Sequence, residues 1–114
     1  MKKAKRFLLL SILLIAAAML WLPSETRAAT FTVNSTSDAV DAAPGDGACQ
    51  TATAGECTLR AAIMEANALA GPHTINVPAG TYTLTLAGAD ENAAATGDLD
   101  INESMTITGA GANS

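Results

Sequence analysis

Three stretches of this chain alternate apolar and polar residues with a period of two, and clusters of Gly, Pro and Asp separate them. In TFTVNST (30–36), Phe31 and Val33 fall on one side, with Thr30, Thr32 and Asn34 on the other. In TINVPAGTYTLTL (74–86), Ile75 and Val77 share a side. Pro78-Ala79-Gly80 turns the chain, and Tyr82, Leu84 and Leu86 then oppose Thr81, Thr83 and Thr85. In LDINESMTITGAG (99–111), Leu99 and Ile101 alternate with Asp100, and Met105 and Ile107 with Thr106 and Thr108. Side chains two residues apart share a face of a strand, so each stretch predicts short half-buried strands. The stretches 38–49 and 87–97, rich in Asp, Gly, Ala and Pro, predict loops.

The second and third stretches resemble each other, each a short strand, a turn and a second short strand. Ile75 and Leu99 occupy matching places 24 residues apart. A repeat of that length is how a solenoid declares itself, and short Thr- and Ile-containing strands with Gly corners suit one coil of a β-helix. An antiparallel meander would carry a similar pattern. It favours two-residue turns such as Asn-Gly, which are absent here.

One segment breaks the alternation. In CTLRAAIMEANA (57–68), Leu59, Ala62, Ile63 and Ala66, continued by Ala70, form a helical stripe of spacing three and four. Thr58 is the expected N-cap and Gly71-Pro72 the stop, predicting a helix over 58–69. So short a helix needs a surface to lie on. A solenoid whose first coil has no neighbour offers one, because end repeats must be capped. The helix is therefore expected to be a lid, fastened at its start by a Cys49–Cys57 disulfide. Such a small loop stabilises the fold by about 2–3 kcal/mol in the chain-entropy treatment.

The disulfide agrees with the start of the chain. Lys2, Lys3, Lys5 and Arg6 precede an apolar run over 7–22, and small residues follow Pro23. This is the layout of a secretory signal peptide, with cleavage expected after Ala28 and an alternative after Ala29. This run of 16 residues, apolar except for Ser11, is shorter than the roughly 20 of a spanning helix, which disfavours an uncleaved anchor. The expected organisation is a signal peptide over 1–28 and one domain over 29–114. Residues 29–114 hold a single base, Arg60, against ten acids, a net charge of −9. So acidic a surface repels nucleic acid and anionic lipid. Contact with membrane is expected only through the signal peptide during export, and the destination is secretion or the cell surface.

ECTLRAAIMEANA resembles the signature of the CSLREA domain of exported bacterial proteins. The likeness extends through TFTVNSTSDAVDAAPGDGAC before it and TINVPAGTYTLTL and MTITGAGA after it, covering 30–112. Cys57, Thr58, Leu59, Arg60, Ala62 and Ile63 match the motif, Thr58 replacing serine. Ala61 stands where the family has a glutamate that closes a capping box with the N-cap hydroxyl. The resemblance implies the start of a right-handed parallel β-helix of the pectin-lyase-like class. It supplies no catalytic residues. Family members run for hundreds of residues, so this chain is expected to be the first piece of a longer protein or a truncated reading frame.

The remaining residues carry little chemistry. Asp98 and Asp100, one strand step apart on the same side, are the calcium candidates. Asp38, Asp41 and Asp46-Gly47 lack the spacing of a twelve-residue calcium loop. Two cysteines and the single His73 make no zinc site, and His73, just past the helix stop, is expected to be exposed. Arg60 is expected to pair with a carboxylate, and Tyr82 to join the core. No cofactor and no catalytic set are expected. The expected function is a noncatalytic exported β-helical protein for adhesion or display, binding an extracellular polysaccharide or a host or cell-surface ligand. The alternatives are the N-terminal part of a polysaccharide lyase or glycoside hydrolase whose site lies on later coils, and an inactive pseudogene remnant.

Overall fold

A computed structural model describes residues 26–112. The signal helix expected at the start of the chain lies mostly outside these residues. In chain order the elements are strand β1 (Thr30–Thr32), helix α1 (Leu59–Ala68), strand β2 (His73–Val77) and strand β3 (Met105–Gly109). The strands form one sheet in the order β1-β2-β3, and both pairings are parallel. An antiparallel meander is thereby ruled out for these strands. Most of the described chain is non-helical, and α1 is its one α-helix.

Like residues meet across the ladder. Thr30, Thr74 and Thr106 are in register, as are Phe31, Ile75 and Ile107, and then Thr32, Asn76 and Thr108. Phe31 and Ile75 point into the core with Val33, while Thr30 and Thr32 face solvent. Helix α1 packs over this face against β2. Its Ala62, Ile63 and Ala66 are buried in one apolar cluster with Phe31, Val33, Cys57, Ile75 and Ala94. The helical stripe read from sequence thus meets the strand stripe. Burying the Ile63 and Ile75 side chains is worth about 1.5–3 kcal/mol each.

The helix begins as expected. Thr58 is extended (φ −89°, ψ 165°), and its Oγ1 accepts the Ala61 N–H at 3.0 Å. Leu69 ends α1 in extended backbone, so Ala70 lies beyond the helix and is exposed. Ala61, which follows the cap by three residues, is fully buried. A carboxylate there would enter the apolar core.

Several expected strands are absent. Residues 81–86 and 98–101 alternate in sequence but pair with no neighbour. Leu84 and Ile101 are 46% and 54% exposed. Competition for the backbone is the reason. The Thr85 and Leu86 N–H groups donate to Asp38 Oδ2 at 2.6 and 2.9 Å, and the Gly97 N–H to the Leu86 carbonyl. Tyr82 is half-buried, its hydroxyl donating to the Pro78 carbonyl at 2.8 Å. The repeat is also re-phased. Ile75 stacks on Ile107, not Leu99, an offset of 32 residues in place of 24. The crossover from β2 to β3 folds back at Gly88, where an added Cβ would collide with the Thr96 side chain. Among the described residues, no helix is long and apolar enough to cross a membrane.

Candidate functional site

Helix α1 buries two side chains of opposite charge, Arg60 and Glu65, and most of the polar organisation of the molecule grows from them. Arg60 has no exposed side-chain surface. Its Nε donates to Asp38 Oδ1 at 2.5 Å and Nη2 to Asp38 Oδ2 at 3.2 Å. Nη1 reaches the Ala94 and Asp98 carbonyls at 2.7 and 3.4 Å, and Nη2 the Gly97 carbonyl at 2.8 Å. All five guanidinium N–H groups have acceptors, the condition under which a buried arginine is tolerated. Asp38 is equally committed, since Oδ2 also takes the Thr85 and Leu86 amides. The Arg60 hydrogen bond is the main reason the Asp38 carboxyl is held below its usual range, and the two amides reinforce it against the opposing effect of burial. The expectation that Arg60 pairs with a carboxylate therefore holds. The partner is 22 residues away in sequence, which no local pattern announces.

Glu65 is buried four residues after Ala61, where the sequence reading placed only a helix-forming residue. Its Oε2 accepts the Gly45 N–H at 2.6 Å and its Oε1 the Gly47 N–H. Both glycines have positive φ, +96° and +89°, which lets their two amides turn toward one carboxylate. Burial raises the Glu65 pKa. The two glycine amides pull it back, and the charges of Asp41 and Asp46 add to the rise.

Asp41, Asp46 and Glu65 form a cluster in which one oxygen of each lies within 4.8 Å of the others. Carboxylate oxygens are the ligands a hard divalent cation such as calcium takes, and the three could hold one. Each is also engaged by backbone. Asp41 accepts the Ala43 and Gln50 amides and Asp46 the Ala48 amide. The sequence reading weighed Asp38, Asp41 and Asp46 together. The fold instead gives Asp38 to Arg60 and brings in Glu65, and chain spacing could not have signalled that exchange.

The other calcium candidates, Asp98 and Asp100, enter no group of three ligating residues among those described. Asp98 is exposed and contributes its carbonyl to Arg60. The Asp100 carbonyl accepts from Asn67 Nδ2 at 2.8 Å, while its buried Oδ2 has no hydrogen-bond partner.

The cysteines are joined, with Sγ atoms 1.98 Å apart. The bridge ties the 38–49 loop to Cys57, whose neighbour Thr58 caps α1 and donates its hydroxyl to the Ala39 carbonyl at 2.6 Å. Thr58, Arg60 and Ile63 are buried and Leu59 is half-buried, so the motif positions act as structural anchors. His73 corrects the sequence reading. It is 2% exposed, packs 6.1 Å from the Phe31 ring, and bonds through both ring nitrogens, to the Ala29 amide at 3.1 Å and the Leu69 carbonyl at 3.2 Å. Its burial follows from register: His73, Ile75 and Val77 share the inward side of β2.

No nucleophile–base pair arises from these contacts. Two shallow grooves flank Tyr82 beyond the ends of the strands, with volumes of about 140 and 300 Å³. Asn34, on the wall of the smaller one, is tied up by the Cys57 amide and the Gly55 carbonyl. The buried polar groups orient loops and hold backbone. No family model matches the chain, and no curated protein or solved structure matches it either.

Proposed function

We propose that this chain is the N-terminal part of an exported, noncatalytic protein built on a right-handed parallel β-helix and serving adhesion or display at the cell surface. One observation carries the reading: three short strands stack parallel with like residues in register, and the β2-to-β3 crossover, 78–104, contains no helix. Parallel strands in α/β folds are joined through helices that cover both faces. A crossover of turns and extended chain is instead the economy of a coil. The disulfide favours an oxidising destination. The helix packs against β2 on the face where Phe31 and Ile75 are buried, while Ile107 in the same row is 43% exposed. This packing supports a cap on the N-terminal side of the stack. The ligand class this reading favours is an extracellular polysaccharide or a host or cell-surface molecule.

The test is fractionation of the producing cells, followed by incubation of the exported protein with acidic polysaccharides, with and without calcium. The protein is expected outside the cytoplasm, with polymer length unchanged. Retention in the cytoplasm would overturn the export reading, and depolymerisation the noncatalytic one.

A further inference from the structure

We infer that His73 is the receptor for a new amino terminus, holding the α-ammonium of Ala29 at Nδ1 once the chain is cut after Ala28. The inference rests on the export reading above. The cut itself is ordinary peptide hydrolysis by a signal peptidase. Water gives its hydroxyl to the Ala28 carbonyl and a proton to the Ala29 nitrogen. The new carboxyl then loses a proton and the new amine gains one.

The Ala29 nitrogen is held in place from its C-terminal side. The Ala29 carbonyl accepts the Thr74 N–H at 2.9 Å, and Thr30 is paired with Thr74 in the sheet. The nitrogen therefore stays beside His73 after the cut. Ala29 N–H is a donor, so Nδ1 is the acceptor, and Nε2 carries the ring proton toward the Leu69 carbonyl. The ring is fixed at both nitrogens and packed against Phe31, so it presents a preset acceptor. Converting the Ala29 amide into an ammonium makes the same hydrogen bond charge-assisted and stronger.

The geometry also separates the two cuts that the small residues allow. Thr26, Arg27 and Ala28 are all exposed, whereas Ala29 is half-buried. A cut after Ala28 removes residues outside the sheet. A cut after Ala29 would remove both the donor to Nδ1 and the acceptor of the Thr74 amide, leaving a buried imidazole nitrogen and a ladder amide without partners.

Residues 29–114 contain no lysine, so the Ala29 α-amine is the only amine of the processed chain, and its reactivity can be read without interference. The experiment takes the exported protein, measures its intact mass, and follows acylation by an amine-reactive ester in the native protein and in denaturant. The expected mass begins at Ala29. Native acylation should be at least about tenfold slower than unfolded, because it must wait for local opening. His73→Ala should speed native acylation, and His73→Gln, which keeps an acceptor, should restore part of the protection. If His73→Ala does not fold, the native-to-unfolded ratio of the parent protein and the Gln variant still decide. A chain starting at Thr30, or equal acylation rates in the native and unfolded states, would overturn the receptor while leaving export standing. A secreted chain still starting at Met1 would overturn the processing on which the receptor depends.

Discussion

Residues 29–77 and residues 78–109 share one sheet but are held by different forces. In the first, Phe31, Val33, Ala62, Ile63, Ala66 and Ile75 form an apolar core, with a disulfide and a helix cap at its margin. In the second, Ala94 is the one fully buried apolar residue among those described, and Leu84, Ile101 and Ile107 are exposed. That second region is held by polar groups. Arg60 binds three of its carbonyls, and Asp38 binds two of its amides. Glu91 closes the turn at Ala93 and Thr96, which keeps its carboxyl below the usual range. Asn67, from the end of α1, holds the Asp100 carbonyl and the Asn102 amide. The comparison teaches that one short helix does two jobs. Its apolar face completes the core, and its polar residues organise a crossover that has almost no core of its own.

The sharpest way to break this contrast is Arg60→Met. It keeps the stem but leaves the buried Asp38 carboxylate and three carbonyls without their donor. Removing one partner of a buried pair typically costs about 3–5 kcal/mol. Denaturant unfolding should show a loss of that size. Hydrogen exchange should place the lost protection first at Thr85, Leu86 and Gly97, before the amides of β1 and β2. Equal loss across both regions would refute the division. Next comes the disulfide. Cys49→Ala with Cys57→Ala should lower stability by about 2–3 kcal/mol and loosen the 38–57 loop more than the 78–104 crossover.

Acid sharpens the comparison through two carboxyls with opposite shifts. The folded pKa of Asp38 lies below its ordinary value of 3.8, so its stabilisation is present above that value and is lost as pH falls through the folded pKa. Glu65 has a folded pKa above its ordinary value of 4.5. The fold therefore disfavours its charge, and this cost appears as pH rises through 4.5 and is complete above the folded pKa. Asp38→Asn should flatten the acid limb of the stability–pH curve, and Glu65→Gln should flatten the rise in cost above pH 4.5. The smallest effect is expected at the exposed apolar residues: Leu84→Ser or Ile101→Ser should change stability by less than about 0.5 kcal/mol. A loss above about 2 kcal/mol would mean that the crossover has a core after all.

Local patterns announced what local forces decide. Periodicity of two marked β1, β2 and β3, and the stripe of Leu59, Ala62, Ile63 and Ala66 marked the helix, with Thr58 at its cap. The same periodicity misled at 81–86 and 98–101. Alternation states which residues would share a face, not whether a neighbouring strand is there to take the backbone bonds. At Thr85 and Leu86 the carboxylate of Asp38 takes them instead. The acidic cluster was half-visible, because Asp41 and Asp46 lie in one loop while Glu65 reaches them from the helix. His73 was misplaced because nearness to a helix stop suggested solvent, whereas the β2 register turns it inward.

By itself, then, the sequence determined where β1, β2, β3 and α1 lie, the composition of the core stripe and the cysteine pair that could close, since each depends on residues near one another in the chain. Tertiary structure alone decided that Ile75 meets Ile107, that Asp38 pairs with Arg60, and that Glu65 faces two glycine amides. Those choices depend on which buried polar group finds a partner across tens of residues. A buried charge left without one is too costly to persist, so the chain is folded around the pairings that satisfy it.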